Sequence, residues 1–560
     1  MMDRQVEYEI RRDMYNLNNK KIEEEFNKIE HKLISFTGYE LICYSLLSIE
    51  NGFRNGAFTG DNTYKDAASK RTIIEWFFKR LLTRKIAIKE FQFDQNKYNK
   101  FESNLPEIFM LCGNYLLNEQ LNKMRGINKI LIEENENNEY IFKLPSIKDK
   151  IDCQDTYYWG KSGDLSQAVK EACLKNEATK KITDKYFKRN PTRDDHINLR
   201  KFIFLEKIDL EVYNACKDNV RVDIDKVGID FSSEIIKDKQ QLINILAVFM
   251  YLSKISIFKD TLLDLRGNPL FKVPIIYNKE DLIKIIKRFL DITYDEINNI
   301  IDYFTIGSQL MGGINEYPLV NIKNNILWVP SSFIMNDFQF SIVNGHYEKS
   351  IKIKKRDSTV SQSVVDNIVT KCKNYKNIIV SNNKVYFDKL HKFNGGDLKS
   401  DIDVALYDEI SNSLLIIECK WKENVFLKGE KYDQICDAVS QIYNKQLYKH
   451  KYFLELNEQN LDLIFNNNER VKNRPYFPQV LYVFVDKRIQ LHCEGKHALS
   501  EFNLLKVLND NSSGSILRLD KVNSYINTLS TEVEYSKKDM ISLIKLNGRV
   551  IKNNIFTLTY

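Results

Sequence analysis

None of the nine cysteines stands in a CxxC pair, and none shows the even spacing of a disulfide framework. Most lie in apolar surroundings, which reads as reduced core cysteines of an intracellular protein. With only 9 prolines, long stiff linkers are excluded. There is no secretory signal in the charged start MMDRQVEYEIRR. The most apolar run, Leu242–Leu252, contains Asn244 and is too short to span a bilayer. The expectation is a cytoplasmic protein with no membrane partner. A phosphate-cradling loop is also missing. Gly160-Lys161-Ser162 has Asp155 where a P-loop needs glycine, and NGFRNGAFTGDN (Asn51–Asn62) reads as a connector with no following Gly-Lys-Ser/Thr. HCEGKH (His492–His497) lacks a second ligand pair for zinc and reads as a loop. No Ser-His-Asp arrangement is visible, nor any internal repeat.

What is present is a long chain rich in core-forming residues. Its 560 residues exceed one core, and 43% hydrophobic and 12% aromatic content suffices for several. The net charge of +7 permits nucleic-acid contact without demanding it. Residues 1–145 read as a helical domain: Ile10, Met14, Leu17, Ile22, Phe26, Ile29 and Leu33 form an amphipathic stripe, and Thr72–Lys85 a central helix. Residues 146–345 read as mixed α/β, with a strand region at VRVDIDKVGIDF (Val220–Phe231). Within 266–345, helices Lys279–Leu290 and Tyr294–Phe304 precede a hairpin turning at Asn324-Asn325, the order of a winged-helix module. The alternative is a packing or dimerisation subdomain, because Asp295, Glu296 and Asp302 would repel phosphates.

From residue 346 the texture changes. A basic run, Lys352, Lys354, Lys355 and Arg356, precedes a helix at Val360–Lys373 and strands at Asn377–Val380 and Val385–Leu390. Then comes GGDLKSDIDVALYDEISNSLLIIECKW (Gly395–Trp421), whose two apolar runs flank a polar turn and read as an antiparallel hairpin. Centring the turn on Ile410-Ser411 sets Asp403 opposite Glu418, with Cβ atoms about 4.5–5.5 Å apart. Strand alternation puts Lys420 on the same face and turns the Cys419 thiol away. Ile402, Val404, Leu406, Leu415, Ile417 and Cys419 form the opposite, core face. A helix over Tyr432–Lys449, with Ile435, Val439, Ile442 and Leu447 as apolar positions, and a strand over Val480–Val485 follow. Residues 346–495 thus read as one domain and 496–560 as an α/β extension.

Paired carboxylates bind Mg²⁺ through hard oxygen ligands. The metal polarises a phosphate and acidifies bound water. A neighbouring ammonium stabilises the transition state, or assists as base if its pKa falls. The hairpin therefore suits phosphodiester hydrolysis on its own chemistry. Asp403 in SDIDV, Glu418-Cys419-Lys420 in LLIIECKW and the order helix, three strands, helix, strand resemble the PD-(D/E)xK nuclease superfamily over residues 350–490.

That resemblance implies a multidomain α+β protein, a mainly helical N-terminal region preceding an α/β restriction-endonuclease-like core with a mixed central sheet flanked by helices. It implies a Mg²⁺-dependent deoxyribonuclease, with Mn²⁺ as substitute, whose catalytic residues are Asp403, Glu418 and Lys420. The metal ligands would be Asp403, Glu418 and the Cys419 backbone carbonyl. Accessory candidates are Asp366, Asp401, Gln434 and Gln441, and candidate nucleic-acid contacts are Lys352, Lys354, Lys355, Arg356 and Lys422. The implied partner is DNA, with a homodimer or higher assembly for double-strand cutting, a partner protein at the N-terminal region, and service in prokaryotic defence against foreign DNA. The alternatives are a silent nucleic-acid-binding or scaffold subunit, and a nuclease acting on RNA or branched DNA.

Overall fold

Helix α1 (Arg4–Lys32) begins where the Asp3 side chain accepts from the Gln5 N–H, and it buries Ile10, Met14, Ile22, Phe26 and Ile29 along one stripe. The computed structural model describes residues 3–59, 63–83, 86, 90–122, 129–149, 176–225, 238–264, 271–307, 313, 314, 316–334, 338, 341, 342, 356–421, 432–487, 490–493, 495–536 and 542–560. Helices α2 (Gly38–Thr59), α3 (Thr63–Leu82) and α4 (Gln95–Leu121) complete the bundle. Their core includes Ile42, Leu46, Phe77, Phe78 and Phe101.

Asn51–Thr59, expected as a connector, is the last part of α2. Each helical glycine costs about 1 kcal/mol relative to alanine. Tertiary contacts offset that cost: Arg54 pairs with Asp260 at 2.9 Å, and the Asn51 side chain bonds the Phe271 backbone at 3.0 and 3.3 Å. Gly60, Asp61 and Asn62 lie outside the described residues, as does Gly160-Lys161-Ser162.

Next come α5 (Glu177–Tyr186), α6 (Arg193–Ile203), α7 (Leu210–Asp225) and α8 (Lys239–Asp264). Of the strand region expected over Val220–Phe231, Val220–Asp225 is instead the end of α7, and residues 226–231 lie outside the described residues. VRVDID alternates with period two, but Val212, Cys216, Val220 and Ile224 recur every four residues, and all four are buried. The apolar run at Leu242 belongs to a longer helix than expected. Lys239–Asp260 is long and apolar enough to cross a membrane, yet 78% of that window is buried inside the protein.

Strands β1 (Leu131–Glu134), β2 (Glu139–Asp149) and β3 (Ile275–Asn278) precede α9 (Lys279–Phe289) and α10 (Tyr294–Tyr303), followed by β4 (Val320–Ile322) and β5 (Asn325–Trp328). The expected helix pair and hairpin are present, with the turn at Lys323-Asn324, both at positive φ. Helix α10 turns Ile297, Ile300 and Ile301 into the core shared with α8, and its Asp302 pairs with Lys279 at 2.7 Å.

The C-terminal part comprises α11 (Arg356–Cys372), β6 (Ile378–Phe393), β7 (Gly396–Asp408), β8 (Ser413–Lys420), α12 (Tyr432–Ile442), a π-turn (Tyr443–Leu447), α13 (Tyr448–Leu456), α14 (Gln459–Ile464) and β9 (Gln479–Asp486). The two short strands expected before the hairpin are one, β6. With β10 (Leu491–Cys493) and β11 (Lys496–Ser500), the sheet order is β10-β11-β9-β8-β7-β6. β6, β7 and β8 are antiparallel, while β8, β9 and β11 are parallel. The sheet runs past residue 495, the boundary read from the sequence. Helices α15 (Glu501–Asp510) and α16 (Leu519–Asn527) join α11 on one face, and α12 to α14 cover the other. The chain then returns to its start: β12 (Thr531–Ser536) and β14 (Arg549–Asn553) pair with β2, and β13 (Ser542–Leu546) pairs with β14. Ile551 and Phe556 share a core with Ile10 and Met14. The protein is a mixed α+β structure, helical at its N-terminal side with a mixed sheet toward its C-terminal side.

Asp408 ties the central hairpin to α16. Fully buried, it accepts from the Asn377 amide at 2.6 Å, Ile410 N–H at 3.0 Å and Leu519 N–H at 3.2 Å. Asp408→Ala strips several buried donors of their acceptor and is expected to cost about 3–5 kcal/mol. A urea midpoint within error of wild type would refute this.

Candidate functional site

The hairpin register pairs Val404 with Ile417 and Asp408 with Ser413, so Asp403 and Glu418 are the next residues in line beyond the ladder. On both β6 and β7 the alternation changes phase at this point. Ala405 and Tyr407 face the α12–α14 side, and so do Ile402 and Leu398; on β6, Ile379 gives way to Tyr386. Asn383, held at φ 50°, falls opposite Asp403 where this phase change occurs. It corrects one expectation: Ile402 packs with Tyr386 and Leu398, not with Val404. The remaining five residues of the expected core face do share one core.

The face bearing the acids is covered as well. Asp403 is 8% exposed and Glu418 1%, while the Lys420 side chain keeps 31% of its surface open. Lys420 Nζ lies 2.5 Å from Glu418 Oε1 and 3.4 Å from Asp403 Oδ2. The Cys419 N–H donates to Asp403 Oδ2 at 2.7 Å, and its thiol is buried. Burial and the neighbouring Glu418 carboxylate push the Asp403 carboxyl up to about 7, against the lowering pull of Lys420 and the Cys419 N–H. Burial alone would lower Lys420, but Glu418 and Asp403 overcome it and hold the ammonium above its ordinary value. Lys420 is therefore a cation in the cation-free cluster.

Two residues absent from the sequence reading complete the cluster. His450 Nε2 lies 3.2 Å from Glu418 Oε2, and the Gln446 carboxamide lies against both Glu418 oxygens, to which it can donate only with its nitrogen turned inward. Their signal was the four-residue spacing Gln446–His450, one helix face apart. It was hidden because the π-turn inserts a residue and rotates the later positions onto the sheet. Gln441, which precedes that turn, is exposed, and the Gln434 side chain lies outside the described residues. Asp486, buried at the end of β9 in register with Lys420, is a further acid the reading missed.

Of the accessory candidates, Asp401 is exposed across from Val385 and is close enough to act electrostatically on Asp403 and Lys420. Asp366 is exposed on α11, bonded by Gln362 at 2.9 Å and not by the cluster. Arg356 opens α11, its side chain outside the described residues together with Lys352, Lys354, Lys355 and Lys422. The HCEGKH segment is a hairpin at the sheet edge, not a loop. His492 and His497 are cross-strand partners with Nδ1 atoms 3.3 Å apart, and Gln490 reaches His492 Nε2 at 2.5 Å. Burial, with His497 alongside, takes His492 down to about 3, and burial lowers His497. The pair is neutral.

Among the described residues no group of three or more His, Cys, Asp or Glu side chains is arranged to hold a metal ion. The donor set still suits a hard divalent cation. Two buried carboxylates face one ammonium, and burial first and the Glu418 carboxylate second raise the Asp403 carboxyl, costs that a bound cation would offset. No protein-family model, curated protein or solved structure matches the chain.

Proposed function

We propose that this protein is a nuclease of the PD-(D/E)xK, restriction-endonuclease-like type, hydrolysing phosphodiester bonds in DNA with a divalent cation. The observation that carries the reading is the convergence of Asp403, Glu418 and Lys420 in one buried cluster at the end of the β7–β8 ladder. The order α11-β6-β7-β8-α12-β9 around it supports the same reading.

The Asp403 and Glu418 carboxylates and the Cys419 carbonyl would hold Mg²⁺ or Mn²⁺, which when bound supplies Lewis acidity and an acidified water. Lys420 keeps its proton between two carboxylates and presents an ammonium at the open side of the cluster. There it can donate to a non-bridging phosphate oxygen and stabilise the charge that builds during attack. Glu418 is held on its inner side by His450 and Gln446, so its direction is set before substrate arrives. One cluster per chain cuts one strand, so double-strand cutting would take two copies.

The test is incubation of the full chain with supercoiled plasmid, linear duplex and single-stranded RNA, each with Mg²⁺ or Mn²⁺ or with EDTA. Nicking or linearisation by wild type, lost in EDTA and in Glu418→Ala, is the expected result. Equal cleavage by the variant would refute the site. Cleavage of RNA alone would move the substrate, and metal-replete wild type without cleavage would favour a silent nucleic-acid-binding subunit.

A further inference from the structure

Behind Glu418 runs a line of buried hydrogen bonds. His450 is fully buried, with Nε2 at 3.2 Å from Glu418 Oε2 and Nδ1 at 3.0 Å from the Tyr386 hydroxyl. Tyr386 sits across from Ser400 on β7. Its ring stacks on Phe453 with centroids 3.9 Å apart, which fixes the ring that carries the hydroxyl.

A carboxylate only accepts, so His450 Nε2 carries a proton. When the imidazole is neutral, Nδ1 is an acceptor and the Tyr386 O–H donates to it. In that tautomer both protons are aimed at Glu418.

We propose that Tyr386 and His450 form a positioning chain that fixes Glu418 for cation binding, holding Oε2 inward and leaving Oε1 on the Lys420 side. This rests on the reading of the cluster as a cation site. Both residues act through Glu418 and touch neither cation nor substrate. Partners of this kind change metal affinity about 10–100-fold when removed. Because Tyr386 reaches Glu418 only through His450, its effect depends on the imidazole being present.

The experiment is Mn²⁺ binding to the full chain, read from the loss of the free-ion EPR signal, with thermal melts to confirm folding. Wild type is expected to bind and Glu418→Ala to lose binding. His450→Ala should weaken binding about 10–100-fold and Tyr386→Phe several-fold. In the His450→Ala background, Tyr386→Phe should add nothing. Tyr386→Phe removes one oxygen and keeps the ring stack, so it tests the chain even if His450→Ala does not fold. The chain is overturned if wild type binds and Glu418→Ala does not, while Tyr386→Phe binds like wild type. It is equally overturned if the Tyr386→Phe effect persists undiminished without His450. Failure of wild type to bind Mn²⁺ brings down the cation site, and the chain with it.

Discussion

Lys420→Met is expected to lower DNA cleavage about 10²–10³-fold while tightening, rather than weakening, the hold on a divalent cation. The two effects have opposite signs because the ammonium does two things. It lies 2.5 Å from Glu418 and 3.4 Å from Asp403, so it supplies the positive charge those buried carboxylates need when no metal is bound. Methionine keeps the length of the side chain and removes that charge, leaving two carboxylates with a stronger demand for a cation. Removing one partner from a buried ionic cluster costs about 3–5 kcal/mol, so folding is best assayed with Mn²⁺ present. The loss of turnover has another origin: no fixed donor remains at the open side of the cluster for a phosphate oxygen. Single-turnover cleavage at saturating Mn²⁺, beside Mn²⁺ binding, separates the two. Parallel loss of cleavage and Mn²⁺ binding would make Lys420 a structural ion-pair partner, and undiminished cleavage would remove it from the site.

How legible this cluster was depends on the range of the interaction that forms each part. The pairing of Asp403 with Glu418 is local: a hairpin with a short turn has its register set by the turn, and the continuous apolar runs VALY and LLII mark two strands buried on both faces. The placement of Lys420 follows from strand alternation. Ile402 fails because alternation holds only while the strand stays regular, and the Asn382-Asn383 pair, a residue type that tolerates positive φ, was the signal that Asn383 turns left-handed opposite Asp403. Burial of the acids was not legible. It comes from α12 and α13 lying over that face, and the π-turn that brings Gln446 and His450 onto Glu418 shifts the helical period by a residue where the sequence carries no proline or glycine. At the scale of the fold, VRVDID was readable as strand or helix until its neighbours four residues back were counted. The pairing of β14 with β2 joins residues from opposite ends of the chain, a contact no local pattern encodes.

Asp403→Asn is expected to stabilise the cation-free protein at pH 8 and to leave it little changed at pH 5. Burial and Glu418 hold the folded carboxyl at about 7, well above its ordinary value of 3.8. The folded state therefore binds this proton more tightly than the unfolded chain does. Below pH 4 both states are protonated and the stability linked to Asp403 is fully present. Between pH 4 and 7 the folded state keeps a proton the unfolded chain has released, so stability falls as pH rises, and above 7 the loss is complete. Three pKa units correspond to about 4 kcal/mol, an upper bound that relaxation around the site reduces. Asparagine cannot ionise, and its carbonyl can still accept from the Cys419 N–H, so the variant escapes most of that loss. Its new amide donor needs a partner, and failing to find one costs about 1–3 kcal/mol, leaving a net gain near 2 kcal/mol at pH 8. A divalent cation should rescue wild type selectively, since it neutralises the same charge: Mn²⁺ raises the wild-type melting temperature at pH 8, raises it little at pH 5 where protons compete, and does little for the variant. Melts of both proteins at the two pH values, in EDTA and in Mn²⁺, give the comparison. Parallel pH profiles in EDTA would show that Asp403 ionises without cost, and a Mn²⁺ shift as large in the variant as in wild type would place the cation away from Asp403.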